Sequence, residues 1–144
     1  MDTMDKLTAI RSFASIAAGE RVTIVRERSD WGMSLATSRP RLTLPKDTDE
    51  KDEDDRLFRQ DFIARCPLAR GFADITLTIL HEVGHHFNRE AYIFCDAKEY
   101  NNAVGIDHFK LHCEMVATDW AIQWLQSARN RSIAKAFERA YFGH

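Results

Sequence analysis

The chain has 144 residues, 44% hydrophobic and 29% charged, with a formal net charge of −2 and a pI near 6.3. That length suffices for one ordinary core and nothing marks a second, so residues 1–144 read as a single domain, with no basic footprint for direct nucleic-acid contact. No apolar run approaches the length of a membrane span, and Met1-Asp2-Thr3-Met4-Asp5-Lys6 lacks the basic start of a signal peptide, which predicts a cytoplasmic protein with no membrane partner.

Leu7, Ile10, Phe13, Ala14 and Ala17 recur at helical spacing and predict a first amphipathic helix that stops near Gly19. Val22 to Arg26 has the β-branched density of a strand, Trp31-Gly32-Met33 reads as a turn into a second strand around Ser34 to Thr37, and Pro40 and Pro45 bracket a third, Arg41 to Leu44. Three short strands joined by short turns predict an antiparallel meander with Leu42 and Leu44 in the core. From Asp47 to Asp55 the chain is almost purely charged, which reads as a solvated loop, or functionally as an acidic flap that favours a basic substrate segment. Its spacing does not fit an EF-hand loop. Leu57, Phe58, Phe62 and Ile63 then predict a helix ending before Pro67.

The segment from Asp74 to Phe87 carries the densest chemistry. Leu77, Leu80, Val83, Gly84 and Phe87 recur at helical spacing around His81-Glu82-Val83-Gly84-His85. Residues four apart on a helix stand over one another about 6 Å along the axis, so His81 and His85 can point imidazole nitrogens at one zinc ion while Glu82 acts as general base on water. Gly84 costs a helix interior about 1 kcal/mol relative to Ala, which predicts close passage of something against that face. The bland reading is a buried helix whose polar groups are satisfied by neighbours, and it requires several partners to offset desolvation.

A catalytic zinc needs a third protein ligand and an open fourth position. Asn88 and Ala91 exclude the metzincin extension of the motif. The best candidate is Glu114, on a predicted helix whose Phe109, Cys113, Val116, Trp120 and Trp124 form an apolar stripe and whose Glu114, Ala117, Ala121 and Leu125 share another face. The small residues of that second face allow a neighbouring helix to approach. His108 and His112 remain alternative third ligands; His86 points about 100° away from His85, and Asp119 is a candidate to orient a ligand imidazole. Residues 91 to 105 read as irregular structure in which Tyr92, Tyr100 or the later His108 can stabilise an oxyanion, with core packing the competing role for each. Ile133, Ala136, Phe137, Ala140 and Tyr141 predict a final amphipathic helix. Cys66, Cys95 and Cys113 show no Cys-x-x-Cys spacing and read as small apolar residues.

Ile79-Leu80-His81-Glu82-Val83-Gly84-His85-His86, the later Glu114-x-x-Ala117-x-x-x-Ala121, and Arg41-Leu42-Thr43-Leu44-Pro45 together resemble the ImmA/IrrE family of zincin-like metallopeptidases, over roughly residues 20 to 126. The resemblance implies an α+β, zincin-like fold with helices packed on a small antiparallel three-stranded sheet. It also implies Zn2+ bound by His81, His85 and Glu114, with Glu82 as the catalytic base, and limited proteolysis of a protein substrate such as a DNA-binding repressor of a phage or mobile element. The segment from Phe87 to Cys113, and Met115 and Val116 after the expected ligand, depart from the family pattern. The alternative is a zincin-like binding, inhibitor or adaptor protein of a phage or mobile element whose metal is structural or absent.

Overall fold

A computed structural model describes residues 3–26, 31–34, 40–49 and 52–143. It is an α+β protein: helix α1 (Thr3–Ala18), strands β1 (Thr23–Arg26), β2 (Gly32–Ser34) and β3 (Arg41–Leu44), helix α2 (Glu53–Arg65), a 3-10 turn (Pro67–Gly71), and helices α3 (Asp74–Phe87), α4 (Arg89–Ile93), α5 (Ala97–Asn102), α6 (Ile106–Phe109), α7 (His112–Leu125) and α8 (Ala128–Phe142). No helix among the described residues is long and apolar enough to cross a membrane. Helix α1 ends where expected, because Gly19 takes φ +73 and its N–H closes the last turn on the Ser15 carbonyl at 3.0 Å.

The sheet corrects the expected antiparallel meander. Strand directions alternate along the chain as expected, but the order is β1-β3-β2, so β3 runs parallel to β1, with Thr23 opposite Arg41 and Arg26 opposite Leu44, and antiparallel to β2, with Gly32 opposite Thr43. The reason lies in burial. Leu42 and Leu44 are fully buried, and a strand sunk this deeply needs backbone partners on both sides. The half-exposed β1 and β2 tolerate an open edge. The second strand starts at Gly32, within the segment expected to be its turn; positions 35–37 of that expectation lie outside the described residues.

The acidic run is also more ordered than a solvated loop. Asp52 and Asp55 form a reciprocal capping box at the start of α2, with hydrogen bonds of 3.0 and 2.9 Å. Asp49 accepts from Lys6 at 3.0 Å and from the buried Tyr141 hydroxyl at 2.8 Å, which ties the run to α1 and α8. Glu50 lies outside the described residues. Residues 91–105, expected to be irregular, hold the end of α4 and all of α5, the latter capped by Asp96, whose side chain accepts from the Glu99 N–H at 2.9 Å.

The core draws on every layer: Ile10 and Phe13 from α1, Phe62 from α2, Leu77, Leu80 and Val83 from α3, Leu125 from α7, and Phe137 and Tyr141 from α8. Helix α3 is its axis. Ala73 at its N-cap has no side-chain oxygen, and the cap is supplied from afar: Glu138 Oε2 on α8 accepts from the Ala73 N–H at 2.7 Å and from Thr76 Oγ1 at 2.6 Å. Arg59 on α2 holds the same turn through Asp74 Oδ1 and the Phe72 carbonyl, both at 2.8 Å.

Helices α3 and α7 cross at Gly84. A methyl group built there would overlap the Ala117 carbonyl oxygen and lie 2.9 Å from its carbon, so α7 backbone fills the space of the missing side chain. This is the close passage that a glycine inside the motif predicts. The apolar positions of α7 sort differently from the expected stripe: Cys113, Ala117, Ala121 and Leu125 are buried, while Val116, Trp120 and Trp124 are half-buried. Phe87 is likewise 49% exposed and stacks on Trp120 with ring centres 5.0 Å apart. Replacing Gly84 with Ala removes the helix penalty of about 1 kcal/mol but forces the two backbones apart. Overpacking dominates, and a net loss of roughly 1–3 kcal/mol in urea unfolding is expected for Gly84→Ala.

Candidate metal centre

The crossing of α3 and α7 brings three predicted ligands together. His81, His85 and Glu114 are all buried, and each offers one ligand atom within 4.8 Å of the others. His81 and His85 lie one turn apart on α3, their rings edge to face with centres 4.6 Å apart. Glu114 reaches across from the first turn of α7, where a carboxylate also sits favourably in the field of the helix N-terminus. Glu114 Oε2 is 2.7 Å from His81 Nε2 and 3.2 Å from His85 Nε2. Ligand atoms of a tetrahedral zinc stand about 3.3 Å apart, and both Glu114–imidazole distances lie at or somewhat below that spacing.

One residue the sequence reading missed completes the arrangement. Thr118 Oγ1, buried on α7, lies 2.9 Å from His81 Nδ1. When Nε2 serves as a ligand, Nδ1 carries the proton and donates it to this hydroxyl, fixing the tautomer and the ring plane. Thr118 lies one turn after Glu114 on the same helix, a spacing that carries no signal until α3 is placed alongside. Asp119, the candidate for that task, is exposed and instead forms an ion pair with Arg65 on α2. Phe58 supports His81 from the other side, ring edge to ring at 5.1 Å.

The alternatives for the third ligand separate clearly. His108 Nε2 lies 3.6 Å from Glu114 Oε1, at the margin of the centre rather than among its three donors. His112 is exposed and lines a different cavity with Cys95 and Cys113. His86 turns away toward Glu20, 3.7 Å distant.

The centre opens into a cavity of about 520 Å3, which Glu82 also lines. Trp31, Gly32 and Met33 bring β2 and its approach to the cavity, Asp52, Asp54 and Asp55 bring the start of α2, and Tyr100 and His108 bring the segment between α4 and α7. The Tyr100 and His108 rings touch edge to face at 5.2 Å, so two of the three expected oxyanion donors flank the site; the side chain of Tyr92 lies outside the described residues. Next to the carboxylate, burial together with the neighbouring Cys95 thiol pushes the Cys113 thiol up to about 12.

Electrostatics bind the three groups into one unit. Burial alone raises the Glu114 carboxyl, but hydrogen bonds and charge from His81 and His85 outweigh it and hold the group well below the usual carboxylate range. Burial pulls His85 down, yet the Glu114 hydrogen bond and the charges of Glu82 and Glu114 leave it raised. No family model, curated protein or solved structure matches the chain.

These shifts give a pH signature for the protein kept in a chelator. The depressed carboxyl of Glu114 adds stability that is complete above the unfolded value of about 4.3 and is lost as pH falls through its folded value. The raised His85 adds stability that is complete below about 6.5 and is lost as pH rises through its folded value. The midpoint of urea unfolding should therefore be highest between about pH 4.3 and 6.5, and Glu114→Gln should flatten that maximum.

Proposed function

We propose that the protein is a zinc-dependent endopeptidase of zincin-like architecture, with His81, His85 and Glu114 as ligands and Glu82 as general base. The observation that carries this reading is the convergence of those three donors within 4.8 Å, on two different helices, in a cavity that Glu82 shares. Two imidazoles and one carboxylate are the donor set of catalytic zinc, which polarises carbonyls and lowers the pKa of water toward about 7.

The chain's own groups then divide the work. Glu82 takes a proton from water onto its carboxylate as the scissile carbonyl is attacked, and returns it to the nitrogen of the departing amine. Tyr100 and His108 supply hydrogen-bond donors toward the oxygen that gains charge. Thr118 keeps His81 oriented throughout, and Gly84 keeps the two halves of the centre at working distance.

The surroundings favour an extended peptide as substrate. β2 lies at the edge of the sheet and, with Trp31, lines the cavity, so a peptide laid along it can pair backbone to backbone. Asp52, Asp54 and Asp55 line the same cavity and favour a basic segment. Together with the motif's resemblance to ImmA/IrrE peptidases, these features favour limited cleavage of a cytoplasmic regulatory protein, such as a phage or mobile-element repressor whose DNA-contacting face is basic.

Metal analysis should find one equivalent of zinc on the purified protein and on Glu82→Gln, while Glu82→Gln lowers hydrolysis of a basic reporter protein by about 10²- to 10⁴-fold. Glu114→Ala should lose both metal and hydrolysis; zinc retained at full occupancy there would move the third ligand to His108. A Glu82→Gln protein that keeps its full biological effect would make the chain a binding protein with a structural metal. Asp54→Ser should raise KM for basic substrates more at low salt than at high, and an equal rise at both would remove the acidic rim from substrate selection.

A further inference from the structure

Outside the metal centre, two thiols meet. Cys113 is buried in the first turn of α7, Cys95 is half-buried in the connection between α4 and α5, and the Cys113 S–H donates to Cys95 Sγ at 3.4 Å. Both line a second cavity of about 550 Å3 with Phe94, Glu99 and His112, which gives small solutes a route to the pair. Their place in the chain gives the contact its meaning. Residues 96–112 between them carry α5 and α6, and that segment supplies Tyr100, Val104, Gly105 and His108 to the lining of the metal-site cavity.

We propose that Cys95 and Cys113 are a peroxide-oxidisable pair whose disulfide ties together the two ends of this cavity wall. The half-exposed Cys95 reacts first: its sulfur takes one oxygen from a peroxide, which leaves as water or alcohol, and Cys95 becomes a sulfenic acid. The Cys113 sulfur then bonds to Cys95 sulfur, the S–O bond breaks, and the departing hydroxyl takes the Cys113 proton to leave as water. Two thiols are oxidised by two electrons and one peroxide is reduced. Bond formation needs a movement on the order of 1 Å, which the short connection after α4 can absorb.

The closed loop restricts the unfolded excursions of residues 96–112 and so holds Tyr100 and His108 in place. A dithiol reductant opens it again, so the wall is stiff under peroxide stress and looser under reducing conditions. Cys66 lies elsewhere, at the end of α2 beside Gln126, with 3.8 Å between its sulfur and the amide nitrogen, and takes no part.

The test uses the full chain in buffer containing chelator, so its outcome is independent of zinc and of peptidase activity. Stoichiometric hydrogen peroxide should lower the intact mass by two hydrogens, and subsequent alkylation in denaturant with peptide mapping should show Cys95 linked to Cys113 and Cys66 alone alkylated. Protease cleavage within residues 96–112 should slow about tenfold in the linked protein and recover with dithiothreitol. Cys95→Ser should show neither the mass loss nor the slowing. Oxygen added at Cys95 without a link, a link that involves Cys66, or a linked protein cleaved as fast as the reduced one would each overturn the proposal.

Discussion

The structure depends on one close contact, the seating of the Ala117 backbone in the space left open by Gly84. A glutamate side chain is short, and Glu114 meets His81 and His85 only because α7 lies directly on α3 at this point. Ala117 and Ala121, both fully buried, continue the flat face that permits the approach. The glycine therefore belongs to the cluster as much as His81, His85 and Glu114 do, although it contributes no polar side chain. Its weakness as a helix former is offset by what its missing side chain admits.

That contact has an electrostatic consequence. Bringing the helices together buries an ionisable carboxylate and two imidazoles among Leu77, Leu80, Val83 and Phe58, where an unpaired charge costs several kcal/mol. Several buried polar groups in this layer meet one another: Glu114 both imidazoles, His81 also Thr118, and Thr76 on the same helix Glu138. A core so specified is intolerant of half measures, because removing one member strands the rest. The same mutual dependence gathers three donor atoms, two nitrogens and one oxygen, within 4.8 Å of one another.

Much of this was legible in the chain itself, and the exceptions have physical causes. The pairing of His81 and His85 was readable because i, i+4 spacing on a helix is a local property, and the small-residue face at Ala117 and Ala121 signalled where a second helix, carrying Glu114, would lie. Thr118 was not, because a hydroxyl in an apolar helix looks like any other until its partner across the interface is known. Asp119 was misread for the same reason: Arg65, 54 residues away, decides where it points. Sheet order failed at a different level. Short turns favour neighbours in sequence, whereas the pairing of β3 with both β1 and β2 follows from how deeply Leu42 and Leu44 sink. In residues 91–105, Asp96 and Glu99 carried a helix start that Tyr92, Phe94, Asn101 and Asn102 obscured. The large apolar stripe of α7 is for the most part only half-buried, because packing against α3 uses the small side chains of the Glu114 face.

Glu138 carries a consequence for biosynthesis. The first turn of α3 takes its cap from a residue 65 positions later than the Ala73 N–H it accepts, and α8, which supplies it, also packs against α1 through the Phe13–Phe137 ring stack at 4.6 Å. On the ribosome the histidines leave the exit tunnel long before α8 does. Contacts of such long separation close late, so the histidine helix acquires its cap only after α8 has emerged. A nascent chain thereby carries the histidine helix uncapped for as long as it stays tethered to the ribosome.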